Sequence, residues 1–370
     1  MRRACHVVCD FIPPHILEAI AANGDEEHRN AAFLTLETSA RMRGERQIMG
    51  SVPALLGFLS TGLKRRTVYT AGNERTTPGM RVRGEGEKAS GDPAVDEAYD
   101  GSGLTYDFYF KNYQRKSIDA RGLRLESTVH YGKNFGNAQW NGRQMIYGDG
   151  DNRIFGRFTS ALDVIGHELT HGVTQNEAGL VYRDQPGALN ESFSDIFGCL
   201  VKQYALKQSA TQADWIVGAG LFLKEIKGVG IRSMKAPGTA YNDPILGKDP
   251  QPGHMKDYVK TERDNGGVHV NSGIPNRAFY ETAMILGGNA WETAGSVWYD
   301  VLTRKLRPES QFQECADACF ASAGELFGRG SKVPKAVAAG WKAVGITVSP
   351  FVIANPTRRF NPPSPAAEVP

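Results

Sequence analysis

Apolar and polar positions repeat with different periods along this chain. Beyond residue 66, short stretches such as 67–70 and 127–131 are rich in β-branched and aromatic residues and are separated by turn residues. This pattern predicts β-strands. From residue 159 onward the apolar residues recur every three or four positions, which predicts helices. We therefore predict an α+β protein of two lobes. The first, over residues 67–176, is β-rich and ends with the first of these helices, and the second, over residues 177–348, is helical.

Residues 1–50 form a separate helical segment in this prediction. Residues 13–24 carry two prolines at the start, where a helix tolerates them, and Gly24 at the end, where a helix can stop. A second helix is predicted from residue 25 to about residue 43. Two short helices have no core of their own, so we expect them to dock on a larger body.

The predicted segments are joined and followed by irregular chain. Residues 51–66 contain two glycines, a proline and a basic run, and we predict a linker there that is open to proteolysis. As an alternative, residues 54–59 are apolar enough to be partly packed. Residues 349–370 contain six prolines and predict a disordered tail.

The size and charge of the chain exclude several functional classes. A chain of 370 residues suits two lobes with appendages, and 41% hydrophobic with 22% charged residues is ordinary for a globular protein. A net charge of +3 is too small to indicate a nucleic acid or an anionic membrane as partner. No apolar run approaches the ~20 residues needed to cross a bilayer, so we expect no membrane insertion. We also expect a monomer.

Cysteine usage and the start of the chain bear on the cellular compartment. Five cysteines are few and odd in number, which argues against a disulfide framework. The first ten residues are basic at the start, but His6 and Asp10 interrupt the apolar run, so they do not resemble a signal peptide. We expect secretion by a non-classical route, with a cytoplasmic location as the alternative.

The strongest chemical signal is His167-Glu168-x-x-His171, which lies in a predicted helix. Residues four apart share one helix face, so both imidazoles can reach one zinc ion. Glu168 lies beside the metal without having to bind it, where a general base for a zinc-bound water is needed. We predict that Ser160 or Thr159 caps this helix. A chance match on an ordinary helix is the alternative.

A third ligand is available 20 residues after His171, at Glu191. It would complete a site of two histidines and one glutamate with an open fourth position, which is typical of catalytic zinc. Asp195 lies one helical turn further on, and we predict that it accepts the second ring N–H of a ligand histidine. The alternative for Asp195 is a solvated helix charge.

Four motifs resemble the thermolysin family of zinc metallopeptidases. They are His167-Glu-Leu-Thr-His171, Ala178-Gly-Leu-Val-Tyr182, Gly187-Ala-Leu-Asn-Glu191 with Ser194-Asp-Ile-Phe-Gly198, and Asp264-Asn-Gly-Gly-Val-His269. Their order and spacing match that family from about residue 67 to about residue 348. The N-terminal segment, with Ile12-Pro-Pro-His-Ile-Leu-Glu18, resembles the short propeptide of the protealysin branch.

The resemblance implies an activity and roles for further residues. It implies a zinc-dependent neutral endopeptidase, made as a zymogen, whose propeptide is an intramolecular inhibitor and whose partners are protein or peptide substrates. One zinc ion per chain is implied. Tyr182 and His269 would face the developing oxyanion, with Asp264 orienting His269. Substrate-binding positions would be Asn137, Ala138, Arg232, Phe155, Phe158, Val164 and Ile231. The last four of these are apolar, which predicts cleavage before a large hydrophobic residue.

The chain departs from the family at the calcium sites. Lys202 stands where the family has an acid, and Ile216 and Ala219 replace two further acids, although Asp163 and Asp214 are kept. Too few carboxylates remain for two adjacent hard cations. We expect the paired calcium site to be absent and leave a single calcium ion open.

Other functional classes fit these residues less well. A metal-dependent oxygenase with the same helix motif would lack His269 and the Tyr182 segment, and an inactive binding module would be expected to have lost Glu168 or a ligand. The N-terminal segment could instead bind a partner protein. If it docks over the cleft, Cys9 is a candidate fourth zinc ligand. A buried packing role is the alternative for Cys9, and Cys5 or His6 could take the same ligand role.

Overall fold

The computed structural model describes residues 9–49 and 63–349. The predicted tail and most of the predicted linker, together with Cys5 and His6, lie outside the described residues. Within them, no helix combines the length and apolarity needed to cross a bilayer.

A six-stranded mixed sheet forms the N-terminal lobe. Its strands are β1 (Cys9–Asp10), β2 (Arg66–Thr70), β3 (Met80–Gly84), β4 (Leu125–Val129), β5 (Ala138–Trp140) and β6 (Met145–Tyr147). Their order across the sheet is β1-β5-β6-β4-β2-β3, with β4 parallel to both of its neighbours and the other pairs antiparallel. Strand β1 comes from the N-terminal segment, so β5 would be the edge strand without it.

Helices build the rest of the molecule, as the apolar spacing predicts. They are α3 (Pro93–Tyr113), α4 (Leu162–Asn176), α5 (Asp184–Leu206), α6 (Asp264–Asn271), α7 (Gly273–Leu286), α8 (Ala294–Asp300), α9 (Phe312–Phe327) and α10 (Lys332–Ala343). Two small antiparallel pairs lie between α5 and α6. They are β7 (Ile216–Val217) with β8 (Arg232–Ser233), and β9 (Asn242–Asp243) with β10 (Gly247–Lys248). The α+β class with a sheet lobe and a helical lobe is therefore confirmed.

The N-terminal segment adds α1 (Pro14–Asn23) and α2 (Glu26–Met49), and the second of these is longer than the sequence predicts. The apolar face of α1, formed by Ile16, Leu17 and Ile20, is at most 3% exposed and belongs to the same hydrophobic core as the sheet and α4. These helices therefore complete their burial against the body of the protein.

The predicted cap of α4 is wrong. Residues 158–160 form a short 3₁₀ turn, and the residue preceding α4 is Ala161, which offers no side-chain cap. The two predicted capping hydroxyls bond elsewhere. Ser160 Oγ donates to the Arg157 carbonyl at 2.7 Å, and Thr159 Oγ1 donates to Glu97 at 2.7 Å. Packing against α3 therefore overrides the local capping preference.

Candidate functional site

The site is built where α4 and α5 cross at very short range. A β-carbon on Gly198 would lie 2.4 Å from the carbonyl oxygen of Asp163, and one on Gly166 would lie 3.0 Å from the Gly198 Cα. A real side chain does not tolerate the first contact, so the crossing requires glycine at position 198, and a side chain at Gly166 would force its neighbours to shift by a few tenths of an ångström. This close approach brings two side chains into direct contact: His167, which follows Gly166 on α4, and Asp195, which lies one helical turn before Gly198 on α5.

Both histidines of α4 are buried and held by hydrogen bonds from their Nδ1 atoms. His167 donates to Asp195 Oδ1 at 2.8 Å, and His171 donates to Asn190 Oδ1 at 2.9 Å. Burial lowers the pKa of His171 to about 3. The two Nε2 atoms lie 3.0 Å apart, and each is an acceptor when Nδ1 carries the ring proton. Two neutral acceptors at that distance are repulsive unless a cation lies between them.

Glu191 of α5 completes the cluster. Its Oε2 lies 3.5 Å from His167 Nε2, its Oε1 lies 3.5 Å from His171 Nε2, and the residue is fully buried. Burial acts to raise the pKa of Glu191, but the imidazoles of His269, His171 and His167 hold it well below its usual range. Ligands bound tetrahedrally at ~2.0–2.1 Å are ~3.3 Å apart. The observed spacings and donor types therefore fit zinc.

Glu168 lies against this cluster, with one carboxylate oxygen within 4.8 Å of a ring nitrogen of each of the two histidines. Its Oε2 accepts a hydrogen bond from the Trp140 backbone N–H at 2.7 Å, and its Oε1 is buried without a hydrogen-bond partner. Burial, and secondarily the charge of Glu191, raises the pKa of Glu168 well above its usual value. A carboxylate that is anchored through one oxygen and left open at the other is suited to exchange protons with a bound water.

Tyr182 and His269 approach the cluster from the helical lobe. The Tyr182 hydroxyl donates to Glu191 Oε1 and lies 3.2 Å from His269 Nε2. His269 Nδ1 donates to Asp264 Oδ1 at 2.6 Å. Burial acts to lower the pKa of His269, but Asp264 and Glu191 outweigh it and raise that pKa to about 9. His269 is therefore a charged donor near neutral pH.

Arg232 is buried and shares Asp195 with the first histidine. Its Nε lies 2.9 Å from Asp195 Oδ2 and its Nη2 lies 2.8 Å from Asp195 Oδ1. Burial opposes ionisation of Asp195, but Arg232 and His167 lower its pKa to about 2. The remaining nitrogen, Nη1, donates to the carbonyl of Phe11 at 3.1 Å. The Asp195 carboxylate thus orients both His167 and Arg232, and Arg232 in turn donates to a main-chain carbonyl.

The edge strand β5 is paired with the N-terminal segment. Cys9 lies opposite Trp140 and Asp10 lies opposite Gln139 in an antiparallel register. The Phe11 N–H donates to the Ala138 carbonyl at 3.0 Å, and the Ile12 N–H donates to Asn137 Oδ1 at 2.8 Å. The Asp10 carbonyl accepts a hydrogen bond from His269 Nε2 at 2.9 Å.

The side chain of Phe11 fills an apolar pocket beside the histidine cluster. Its ring centroid lies 5.3 Å from that of His167 and 6.5 Å from that of Phe158, both edge-on. A β-carbon on Gly218 would lie 3.2 Å from the tip of the Phe11 ring and 2.8 Å from Ile231, so those two residues lie close to the end of the pocket.

The two remaining predicted pocket residues lie further back. Phe155 packs on Phe158 with a centroid distance of 5.8 Å. Val164 is buried one helical turn before His167.

The structure thus brings most of the residues that the sequence singles out around one cleft, while Phe155 packs behind Phe158 and Val164 is buried within α4. Three contributions were missed. Asn190 stands directly before Glu191, and its place in the same motif could have indicated a partner for His171. The Trp140 main-chain N–H carries no sequence signal. Phe11 precedes the Ile12-Pro-Pro motif, but nothing local indicates which side chain enters the cleft.

Family comparison agrees with this geometry. The model of the thermolysin metallopeptidase catalytic domain matches residues 60–175, and that of the thermolysin metallopeptidase alpha-helical domain matches residues 178–346. Together they span most of the chain, which therefore belongs to the thermolysin family of metallopeptidases. The protein is a zinc metalloendopeptidase.

Individual relatives extend the likeness beyond these two domains. The chain is 51% identical over 344 residues to an extracellular metalloprotease of Pectobacterium carotovorum subsp. carotovorum, covering 92% of this chain and 97% of that protein. It is 41% identical over 341 residues to the extracellular minor metalloprotease of Serratia marcescens, covering 90% and 93%.

A solved structure shows the same likeness. The precursor of protealysin, a metalloproteinase from Serratia proteamaculans, matches with a TM-score of 0.84 and 50% identity, covering 92% of this chain and 100% of that one. This coverage exceeds what the chain contains from residue 60 onward, so the likeness takes in part of the N-terminal segment.

Lys202 occupies the place where the sequence predicts the loss of calcium. Its Nζ lies 2.9 Å from Asp163 Oδ2 and 3.0 Å from Asp214 Oδ1, and it donates to the Ile216 carbonyl at 2.6 Å. Three oxygens therefore surround an ammonium group as they would surround a hard cation. Burial acts to lower the pKa of Lys202, but Asp163 outweighs it, so the group stays charged.

We expect this ammonium group to stabilise the fold in place of calcium. Replacing it (Lys202→Met) leaves the buried Asp163 without its cation and should lower the free energy of unfolding by about 3 kcal/mol. Denaturant unfolding of the inactive Glu168→Gln protein measures the change. The matched control, Lys224→Met at an exposed lysine, should change it by less than about 0.5 kcal/mol.

Calcium itself should have little effect. The unfolding temperature of the Glu168→Gln protein with Lys202 intact should be the same in calcium-free buffer and in millimolar calcium. A rise of several degrees on adding calcium would show that a calcium site persists.

Proposed function

We propose that the protein is a zinc-dependent neutral endopeptidase made as a zymogen, with residues 1–50 as a propeptide that inhibits it from within the cleft. The observation that carries this proposal is the pairing of β1 with β5. The main-chain N–H groups of Phe11 and Ile12 donate to Ala138 and Asn137, and the carbonyls of Asp10 and Phe11 accept from His269 and Arg232. The sequence assigns all four of these partners to substrate or to its oxyanion. The segment therefore lies along the cleft as an extended peptide added to the sheet edge.

This pairing assigns positions to an incoming substrate. Phe11 stands for the residue that follows the scissile bond, because its side chain enters the apolar pocket and its carbonyl is held by Arg232. Asp10 then stands for the residue before it, with its carbonyl at His269. Asn137 and Ala138 hold the peptide backbone on the other side. The bond to be cleaved would lie where Asp10 joins Phe11.

His167, His171 and Glu191 would hold one zinc ion, and Asp195 and Asn190 keep the two imidazoles in the required tautomer. Zinc bound there acts as a Lewis acid, which polarises the scissile carbonyl and makes water nucleophilic near neutral pH. Glu168 takes a proton from the attacking water and passes it to the leaving amine as the carbon–nitrogen bond breaks.

Two donors stabilise the negative charge that develops on the carbonyl oxygen. His269 already donates to the Asp10 carbonyl, and Asp264 keeps it protonated. The Tyr182 hydroxyl lies 3.2 Å from the same His269 nitrogen, so it can reach the same oxygen. Preorganised donors in a buried site contribute strongly because they need no rearrangement during the reaction.

Activation of the zymogen requires removal of the N-terminal segment, and we propose cleavage within residues 51–66. The segment could instead be a module for a partner protein. Its burial of Phe11 against His167 favours the inhibitory role, because a partner-binding surface would be exposed.

We further propose that the enzyme acts as a monomer on protein or peptide substrates outside the cell. The relatives named as extracellular support secretion. A non-classical route is part of the proposal, and a cytoplasmic location is the alternative.

Two variants separate metal binding from proton transfer. Glu168→Gln keeps the hydrogen bond from Trp140 and the zinc, but it should lower kcat on casein by about 10³-fold or more because the base is lost. His171→Ala should lose zinc as well as activity, because one ligand is removed. Elemental analysis and casein hydrolysis, both after removal of the N-terminal segment, measure these effects.

Either assignment can fail separately. Substantial turnover by Glu168→Gln with zinc bound would show that another group is the base. Full zinc occupancy in His171→Ala would remove that residue from the ligand set.

The pocket occupied by Phe11 should determine specificity. Burying a leucine or phenylalanine side chain there contributes about 1.5–3 kcal/mol. Peptides with either residue just after the scissile bond should therefore have kcat/KM at least about 10-fold higher than those with alanine, and those with aspartate should be poorer still. A peptide library digested by the activated enzyme measures this preference. A cleavage profile without it would contradict the assignment of the pocket.

A further inference from the structure

Cys9 lies within reach of the proposed zinc site. Its side chain is buried, and its sulfur, one nitrogen of His171 and one carboxylate oxygen of Glu191 all lie within 4.8 Å of one another. We propose that in the full chain the Cys9 thiolate is the fourth ligand of the zinc ion, so that the N-terminal segment closes the metal site as well as the cleft. This inference rests on the proposed zinc ligands and adds one residue to them.

The strand geometry explains why Cys9, and not its neighbour, is presented to the metal. Alternate residues of a strand point to the same face. Phe11 packs on His167, so Cys9, two residues earlier, faces the same helix. Asp10 points the other way, where it accepts hydrogen bonds from Ser39 and Arg43 of α2.

The register of this strand is held by contacts at the cysteine and at the residues that follow it. Asn137, Ala138 and Arg232 bind the main chain of Phe11 and Ile12, and Trp140 lies opposite Cys9. A slip of one residue would turn Cys9 away from the site and Asp10 towards it. The contacts beyond the cysteine therefore determine where its sulfur lies.

The chemistry of the site favours a sulfur ligand. His167, His171 and Glu191 supply three of the four positions of tetrahedral zinc, and thiolate is among its best ligands, with a Zn–S distance of ~2.3 Å. The thiol proton is released to solvent on binding. Four protein ligands give the closed type of site that is structural rather than catalytic. Cys9 packs against Tyr182 and Val268, which leaves its sulfur on the side of the cleft where the oxyanion donors lie.

A metal site with four protein ligands would also explain why the N-terminal segment is not cleaved, although it binds like a substrate. The Asp10–Phe11 peptide bond lies at the proposed scissile position, with its carbonyl already at His269. A thiolate in the fourth position removes the place where a nucleophilic water would be activated. The segment can therefore bind in the direction of a substrate without being cut at that bond.

Cobalt substitution of the full chain tests this ligand directly. In the Glu168→Gln background, which prevents self-cleavage, the cobalt(II) protein should show a near-ultraviolet absorption from sulfur-to-metal charge transfer. Cys9→Ser should abolish this absorption while equimolar cobalt stays bound. The matched control, Cys315→Ser at another buried cysteine, should leave it unchanged.

X-ray absorption at the zinc edge of the same Glu168→Gln chain needs no cysteine variant. It should show one sulfur at ~2.3 Å. Bound metal with only nitrogen and oxygen ligands would overturn the role of Cys9 and leave the three-ligand site standing. Failure of the chain to bind either metal would overturn the three-ligand site as well, so the two failures are distinguishable.

Discussion

The close crossing of α4 and α5 is the constraint on which the site depends. Because glycine occupies both helices where their backbones meet, His167 can reach Asp195, and that carboxylate can also hold Arg232. The same crossing brings Glu191 to 3.5 Å from both histidines. A side chain at Gly198 would force the helices apart, so the histidine–carboxylate cluster and the position of Arg232 share one structural cause.

The edge strand β5 links this site to the proposed inhibition by the N-terminal segment. An unpaired strand edge offers a row of main-chain donors and acceptors to any extended peptide. In the full chain that peptide is the N-terminal segment, whose helices α1 and α2 obtain their burial from the same docking. The segment thus satisfies its own need for a core against the groups that we propose bind substrate, and in that proposal inhibition is a consequence of its folding.

Prediction from sequence succeeds here where chemistry depends on spacing and fails where it depends on packing. The interval between His167 and His171 predicts one helix face, and the motif around Glu191 predicts a carboxylate beside both histidines, as the structure has it. The role of Glu191 as third ligand stays a prediction. The cap of α4 is mispredicted because the hydroxyl of Thr159 bonds to α3 instead. Lys202 is recognisable as a lost acid, but its contacts with both aspartates depend on the tertiary fold.

The central claim is that Phe11 anchors the N-terminal segment in the cleft of a zinc peptidase. Binding of a hydroxamate inhibitor to the Glu168→Gln full chain, measured by calorimetry, tests it most directly. The inhibitor should bind weakly to this chain and at least about 10-fold more tightly to Phe11→Asp, which cannot bury its charge in the pocket. The control Phe33→Asp, at a side chain of α2 that is 58% exposed, should bind as weakly as the unaltered segment. Equal and tight binding by all three proteins would show that Phe11 does not hold the N-terminal segment in the cleft.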